Sequence, residues 1–248
     1  MGYSTKKKQH PVARVVDFSA LGGEFIGIVG ANGSGKSTFL RTLSGLQPAL
    51  SGSIYLNGKA LSEYTALALA SELSLVLTEA IPVKNLTVAE IIALGRQPHT
   101  NWIGTLTKND IAAIENAMET TKITTIRNKR CYELSDGQLQ KVMIARALAQ
   151  HTPLIILDEP TTHLDLYYKA YLLKLLKQIA QETQKTIVFS SHEINMAIQL
   201  CDKVLIMAEN TTYFDTPCNL IKEGRFNSLF PGDFIGFDPQ SGSFKVHQ

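Results

Sequence analysis

A glycine-framed stretch, Gly30-Ala-Asn-Gly-Ser-Gly-Lys-Ser-Thr38, constrains this chain more than any other part of it. Gly30, four free positions, then Gly35, Lys36 and Ser37 fill the phosphate-loop pattern, in which backbone N–H groups turn inward around a polyphosphate. Lys36 is placed to reach β- and γ-phosphates, and the Ser37 hydroxyl suits Mg²⁺. Asn32, Gly33, Ser34 and Thr38 belong to the same wrap. The flanks agree with it. Glu24 to Val29 reads as a buried strand, and Thr38-Phe-Leu-Arg-Thr-Leu43 continues as a helix whose N-terminus faces the anion. A chance glycine turn would need neither flank.

At 248 residues and 44% hydrophobic, the chain is long enough to bury a sizeable core, as one large domain or a domain with a lobe. A net charge of +2 leaves no electrostatic footprint for nucleic acid, which is not an expected partner. The one tight basic run, Lys6 to Lys8, reads as a solvated loop. Three cysteines, Cys131, Cys201 and Cys218, are far apart and lack metal-ligand spacing, which suits a reducing compartment. No apolar run approaches membrane-spanning length: the richest, Ala66 to Leu77, is broken by Ser71, Glu72 and Ser74. The first ten residues lack a signal-peptide core. Any membrane process would be served from the cytosolic side.

Turn and cap signals divide the chain. Val12 to Phe18 is expected as a strand before the Gly22-Gly23 turn. Ser-Ile-Tyr-Leu after Gly52 is strand-like and closes on Asn57-Gly58, a hairpin signal. Leu73 to Leu77 is a further short apolar run. A helical middle follows, opened by capping boxes at Thr87/Glu90, Thr107/Asp110 and Ser135/Gln138. Gly95 is expected to cap the first of these helices, Ile111, Ile114 and Met118 to share one face of the second, and Pro153 to stop the third. Leu154 to Leu157, Thr186 to Ser190 and Val204 to Ala208 read as buried strands, with a helix from about Tyr168 to Gln181 between the first two. The reading is a single α/β domain, 1–248. It has a mainly parallel core sheet, an antiparallel β part near the N-terminus, an inserted helical subdomain at about 84–151, and a tail at about 226–248.

Asp158 and Glu159 stand at the carboxyl end of a strand, the edge where open α/β sheets bind ligands. Asp158 suits Mg²⁺, directly or through water, and Glu159 can orient and polarise an attacking water. His192, at the end of the next strand, can donate from a neutral imidazole to a γ-phosphate oxygen. Leu134-Ser-Asp-Gly-Gln138 presents a second helix start able to take an anion. With one phosphate loop already in the chain, the simplest use for it is the nucleotide of a second copy, in a head-to-tail dimer.

Together these motifs resemble the ATP-binding subunits of ABC transporters, in the right order and spacing over almost the whole chain. Gly30 to Thr38 is similar to their Walker A segment. Leu134 to Gln138 is similar to the Leu-Ser-Gly-Gly-Gln signature with Asp136 in place of the first glycine, and Leu154 to Glu159 to Walker B. Thr161 to Asp165 is similar to the D-loop, and His192 to the switch histidine. Gly95-Arg-Gln-Pro-His99 and the tail from Phe230 to Val246 narrow the likeness to importers of iron chelates, haem or vitamin B12.

The resemblance implies a P-loop NTPase fold, ATP and Mg²⁺ as cofactors, and Glu159 and His192 as catalytic residues. It implies ATP binding in trans through Ser135, Gly137 and Gln138, dimer communication through Asp165, and Tyr3 stacking on adenine. Metal ligation would fall to Ser37 and Asp158. The family's Gln that links nucleotide to membrane partner should follow Leu77, where Thr78-Glu79 stands. Thr78 is thus expected to bind Mg²⁺ with shorter reach. The implied partners are polytopic permease subunits and, indirectly, an extracytoplasmic substrate-binding protein. The implied location is the cytoplasmic face of a bacterial inner membrane. The rival is a soluble ABC ATPase acting on DNA or ribosomes, which would usually carry coiled-coil arms or fused paired domains.

Overall fold

A computed structural model describes residues 2–5, 8–11, 16–78, 85–209, 211–230, 232 and 234–246, the first two stretches as main chain only. Strands β1 (Gly2–Thr5) and β2 (Lys8–Pro11) form an antiparallel pair. Of the strand expected at Val12 to Phe18, 12–15 lie outside the described residues and 16–18 are not in a strand. Val16 and Phe18 still pack inward, Phe18 meeting Phe39 and Phe214 at ring distances of 5.6 and 4.8 Å. Burial, not ladder pairing, holds them. β3 (Phe25–Gly30) leads through the glycine loop to α1 (Lys36–Leu43). β4 (Tyr55–Leu56) and β5 (Lys59–Ala60) pair across Asn57-Gly58, whose φ values of 52° and 78° are the left-handed pair a tight hairpin demands.

The remaining elements follow in order. α2 (Ala66–Glu72) and β6 (Leu73–Val76) precede three helices, α3 (Val88–Ala93), α4 (Lys108–Thr120) and α5 (Asp136–Ala149). Then come β7 (Leu154–Leu157), α6 (Leu166–Thr183), β8 (Thr186–Ser191), α7 (Ile194–Leu200) and β9 (Lys203–Met207). β10 (Thr212–Asp215), α8 (Pro217–Lys222) and the pair β11 (Ile235–Asp238) and β12 (Ser243–Val246) complete the chain.

Six strands form the central sheet in the order β10-β9-β3-β8-β7-β6, parallel except for the β10–β9 edge. The pleat divides each strand between two cores. Phe25, Val29, Ile155, Leu157, Ile187, Phe189, Val204 and Ile206 face the side holding α3 to α7. Ile26, Ile28, Ile156, Val188, Leu205 and Met207 face α1. Covered on both sides, the inner strands are mostly apolar, which is why β3, β7 and β9 read as nearly unbroken runs. Because five of the six strands are parallel, their carboxyl ends gather along one edge.

In the helical layer all three capping boxes form. One expectation there is corrected. Gly95 is not a cap with left-handed backbone: a Cβ on it would lie 2.2 Å from the Arg146 carbonyl oxygen, so glycine is required by the close passage of α5. On α4, Ile114 and Met118 are buried and Ile111 is half exposed. α5 ends before Pro153, at Ala149, where Arg96 donates to the Ala149 carbonyl (2.7 Å) and His99 Nε2 bonds the Gln150 carbonyl (2.8 Å). Side chains from a neighbouring segment thus satisfy the orphan carbonyls. Arg96 also pairs with buried Asp110 at 2.8 Å.

Candidate active site

The glycine loop leaves β3 at the sheet's carboxyl edge, flanked by β8 and β9. A Cβ on Gly30 would fall 2.5 Å from Ser34 Oγ and 2.6 Å from the Met207 carbonyl oxygen, so only glycine lets the loop leave the sheet this closely. Gly33 and Gly35 hold φ values of 79° and 97°. Ala31, Asn32 and Gly33 are exposed at the mouth, and Ser34 and Gly35 are half buried. Ser37 and Thr38 open α1 behind them. Lys36 is buried, its Nζ donating to the carbonyls of Gly30 (2.9 Å) and Ala31 (3.2 Å). Burial lowers its pKa, opposed by the Glu159 and Asp158 carboxylates nearby. An ammonium carries three donors, and two are engaged here by the loop's own carbonyls.

Behind the loop runs a continuous chain of hydrogen bonds. Ser37 Oγ donates to Asp158 Oδ1 (3.1 Å), and Ser190 Oγ donates to the same oxygen (2.7 Å). The Glu159 N–H donates to Ser190 Oγ (2.8 Å). His192 Nε2–H donates to Glu159 Oε1 (2.7 Å). Ser37 comes from α1, Asp158 and Glu159 from the end of β7, Ser190 and His192 from the end of β8. The β7–β8 pairing, Leu157 opposite Phe189, brings these strand ends side by side. Glu159 has φ 48°, an uncommon conformation for a non-glycine residue and one that clusters at functional sites.

Ser190 was missed by sequence reasoning, which took it only as the end of an apolar strand. The available signal was a hydroxyl inside Ile-Val-Phe-Ser, on the alternate face from Phe189 and therefore on the α1 side. Thr78 was expected to bind metal. Its hydroxyl donates to the Asp158 backbone carbonyl (3.0 Å), so it ties the segment after β6 to the main chain of that residue. Neighbouring Glu79 lies outside the described residues.

Ser135, Gly137 and Gln138 stand at the start of α5, apart from this chain. The Ser135 side chain accepts from the Gln138 N–H (3.4 Å), and Gln138 Oε1 from the Ser135 N–H (3.2 Å). Ser135 and Asp136 are exposed, and Gly137 faces Leu164 and Tyr168, where an added Cβ would make ordinary contacts at 3.6 Å. Asp165 caps α6, accepting from the Tyr168 N–H (2.9 Å). Tyr3 lies in β1, and its side chain is outside the described residues.

A phosphate group fits this cradle on an observation of its own: Ser34 Oγ is buried in the loop with no hydrogen-bond partner. The adjoining hydroxyl of Ser37 and carboxylate of Asp158 are hard oxygen donors, the kind Mg²⁺ takes alongside substrate phosphates. Glycine cradle, buried lysine and carboxylate pair on a parallel sheet define the class, a phosphate-loop nucleotide-binding domain.

Comparison with known proteins gives the family. The model of the ABC transporter family matches residues 13–162, and the chain belongs to that family. It is 38% identical over 225 residues to an uncharacterised ABC transporter ATP-binding protein of Methanocaldococcus jannaschii, covering 90% of this chain and 78% of that protein. It is 35% identical over 213 residues to the iron(3+)-hydroxamate import ATP-binding protein of Bacillus subtilis, covering 86% and 76%. Among solved structures, a transporter described as of the metal-chelate type, in an inward-facing conformation, superposes with a TM-score of 0.75. It is 27% identical, with 94% of this chain and 88% of that one covered.

Proposed function

We propose that this chain is the ATP-hydrolysing subunit of an ABC importer whose cargo is an iron-siderophore, haem or cobalamin-type chelate. The import names of its relatives support the cargo class, and the hydrogen-bonded chain from Ser37 to His192 carries the chemistry. ATP phosphates enter the loop, where Lys36 exchanges a loop carbonyl for phosphate oxygen and Ser34 gains a partner. Ser37 and Asp158 would hold Mg²⁺, which when bound neutralises phosphate charge. His192 turns from Glu159 to the γ-phosphate, leaving Glu159 to orient the attacking water. A second copy supplies its Ser135, Gly137 and Gln138 to close the site, head to tail. Completing the site only on closure couples chemistry to motion.

Among the described residues no helix is long and apolar enough to cross a membrane. In this reading the passage is formed by separate polytopic permease subunits, fed by an extracytoplasmic binding protein, with this subunit peripheral on the cytoplasmic face. Glu159→Gln tests the scheme. The amide keeps the shape but not the charge, so turnover should be lost while ATP and Mg²⁺ hold a dimer, read by gel filtration. A variant that stays monomeric with ATP contradicts the head-to-tail site. Copurification with a polytopic membrane protein tests the importer assignment, and its failure alongside ATP-driven dimers would favour the soluble rival.

A further inference from the structure

We infer that Ser190 is a positioning residue for hydrolysis: one buried hydroxyl fixes both the metal-holding Asp158 and the main chain of Glu159. This rests on the ATPase reading above. Ser190 is 0% exposed and follows the buried run Ile187, Val188 and Phe189 in its strand, so its hydroxyl has no solvent to satisfy it. It has two partners, one on each side of its chemistry. As acceptor it takes the Glu159 N–H at 2.8 Å, and as donor it gives its proton to Asp158 Oδ1 at 2.7 Å. A hydroxyl is the smallest group that can do both at once.

The two bonds act on different properties. The first holds the peptide of Glu159, whose φ of 48° must be stabilised by its surroundings to persist. That backbone turn determines where the Glu159 carboxylate points, and so where a water would be held. The second, with the Ser37 hydroxyl, occupies Asp158 Oδ1 from two sides and sets the rotation of the carboxylate. Outer partners of this kind change metal affinity or activity by about 10–100-fold when removed. Ser190 touches neither phosphate nor the reacting atoms in this scheme, so its effect passes through the two acids.

The test compares the parent subunit with Ser190→Ala, using three readouts: steady-state ATPase, affinity for a fluorescent ATP analogue without metal, and Mn²⁺ affinity of the ATP complex by electron paramagnetic resonance. The expected result is a kcat lower by about 10–100-fold and Mn²⁺ binding weaker by at least several-fold. Metal-free nucleotide affinity should stay within about twofold. Because Ala leaves Asp158 and the Glu159 N–H short of a partner and could impair folding, Ser190→Thr and Ser190→Val form a second pair, equal in shape and differing only in the hydroxyl. Thr should retain most of the turnover and Val should not. Parent-like kcat and Mn²⁺ affinity in Ser190→Ala, or equal activities of the Thr and Val variants, would overturn the proposal. A parent protein without ATPase activity would instead overturn the reading on which it rests.

Discussion

Thr78 has one contact in the structure and another role expected from the sequence, and the two can be told apart. A hydroxyl that ligates metal and a hydroxyl that ties down a backbone carbonyl respond differently to removal. The 3.0 Å bond to the Asp158 carbonyl belongs to the second kind. Thr78→Val keeps the branched shape and deletes that bond, so the expected loss is about 1 kcal/mol of stability, the net worth of one intramolecular hydrogen bond. Mn²⁺ affinity of the ATP complex should be unchanged. Urea midpoints and metal titration separate the cases, and weakened Mn²⁺ binding with parent stability would favour the ligand role expected from the sequence. The contrast with Ser190 is instructive, since that hydroxyl meets the Asp158 carboxylate and this one only its main chain.

At the scale of elements, the helical layer carries two tests. Gly95→Ala would push a Cβ into the Arg146 carbonyl, a backbone atom that cannot rotate away. Overpacking of this kind costs about 1–3 kcal/mol, and a urea midpoint should fall accordingly. An unchanged midpoint would mean that α5 can slide past the Gly95 segment. Asp110 gives the pH test. The Thr107 hydroxyl, the Thr107 N–H and then Arg96 hold its pKa down to about 2, below the usual 3.8. A depressed carboxylate pKa stabilises the fold above the unfolded value, and that contribution is lost as pH falls from about 4 towards 2. Asp110→Asn should therefore flatten the acid limb of the melting temperature between pH 5 and 2.5. A limb as steep as the parent's would assign acid lability elsewhere. What was legible beforehand follows the same division. Capping boxes and the Asn57-Gly58 turn were readable because both partners lie within three residues. The packing need behind Gly95 was not, because Arg146 is supplied by another helix. Ser190 was hidden for a like reason: its partners sit just past the end of the neighbouring strand, β7.

The whole molecule is organised around β3, whose glycine loop gives the chain its chemistry and whose partners come from the far end of the sequence. Phe25 to Val29 pair with Ile187 to Ser191 on one side, and Ile26 to Gly30 with Lys203 to Met207 on the other. Between them lie the hairpin of β4 and β5, the helical layer and the carboxylate strand. Parallel pairing at such sequence separation is entropically expensive and late. It also has a consequence for the chain as it is made. β3 leaves the ribosome roughly 160 residues ahead of its first neighbour, which at ordinary synthesis rates is on the order of ten seconds. Throughout that interval Phe25-Ile-Gly-Ile-Val29, among the most apolar segments in the protein, has no sheet to join. The nascent chain thus carries an unpaired apolar strand, of the kind that makes folding intermediates prone to aggregate, until β8 has been made.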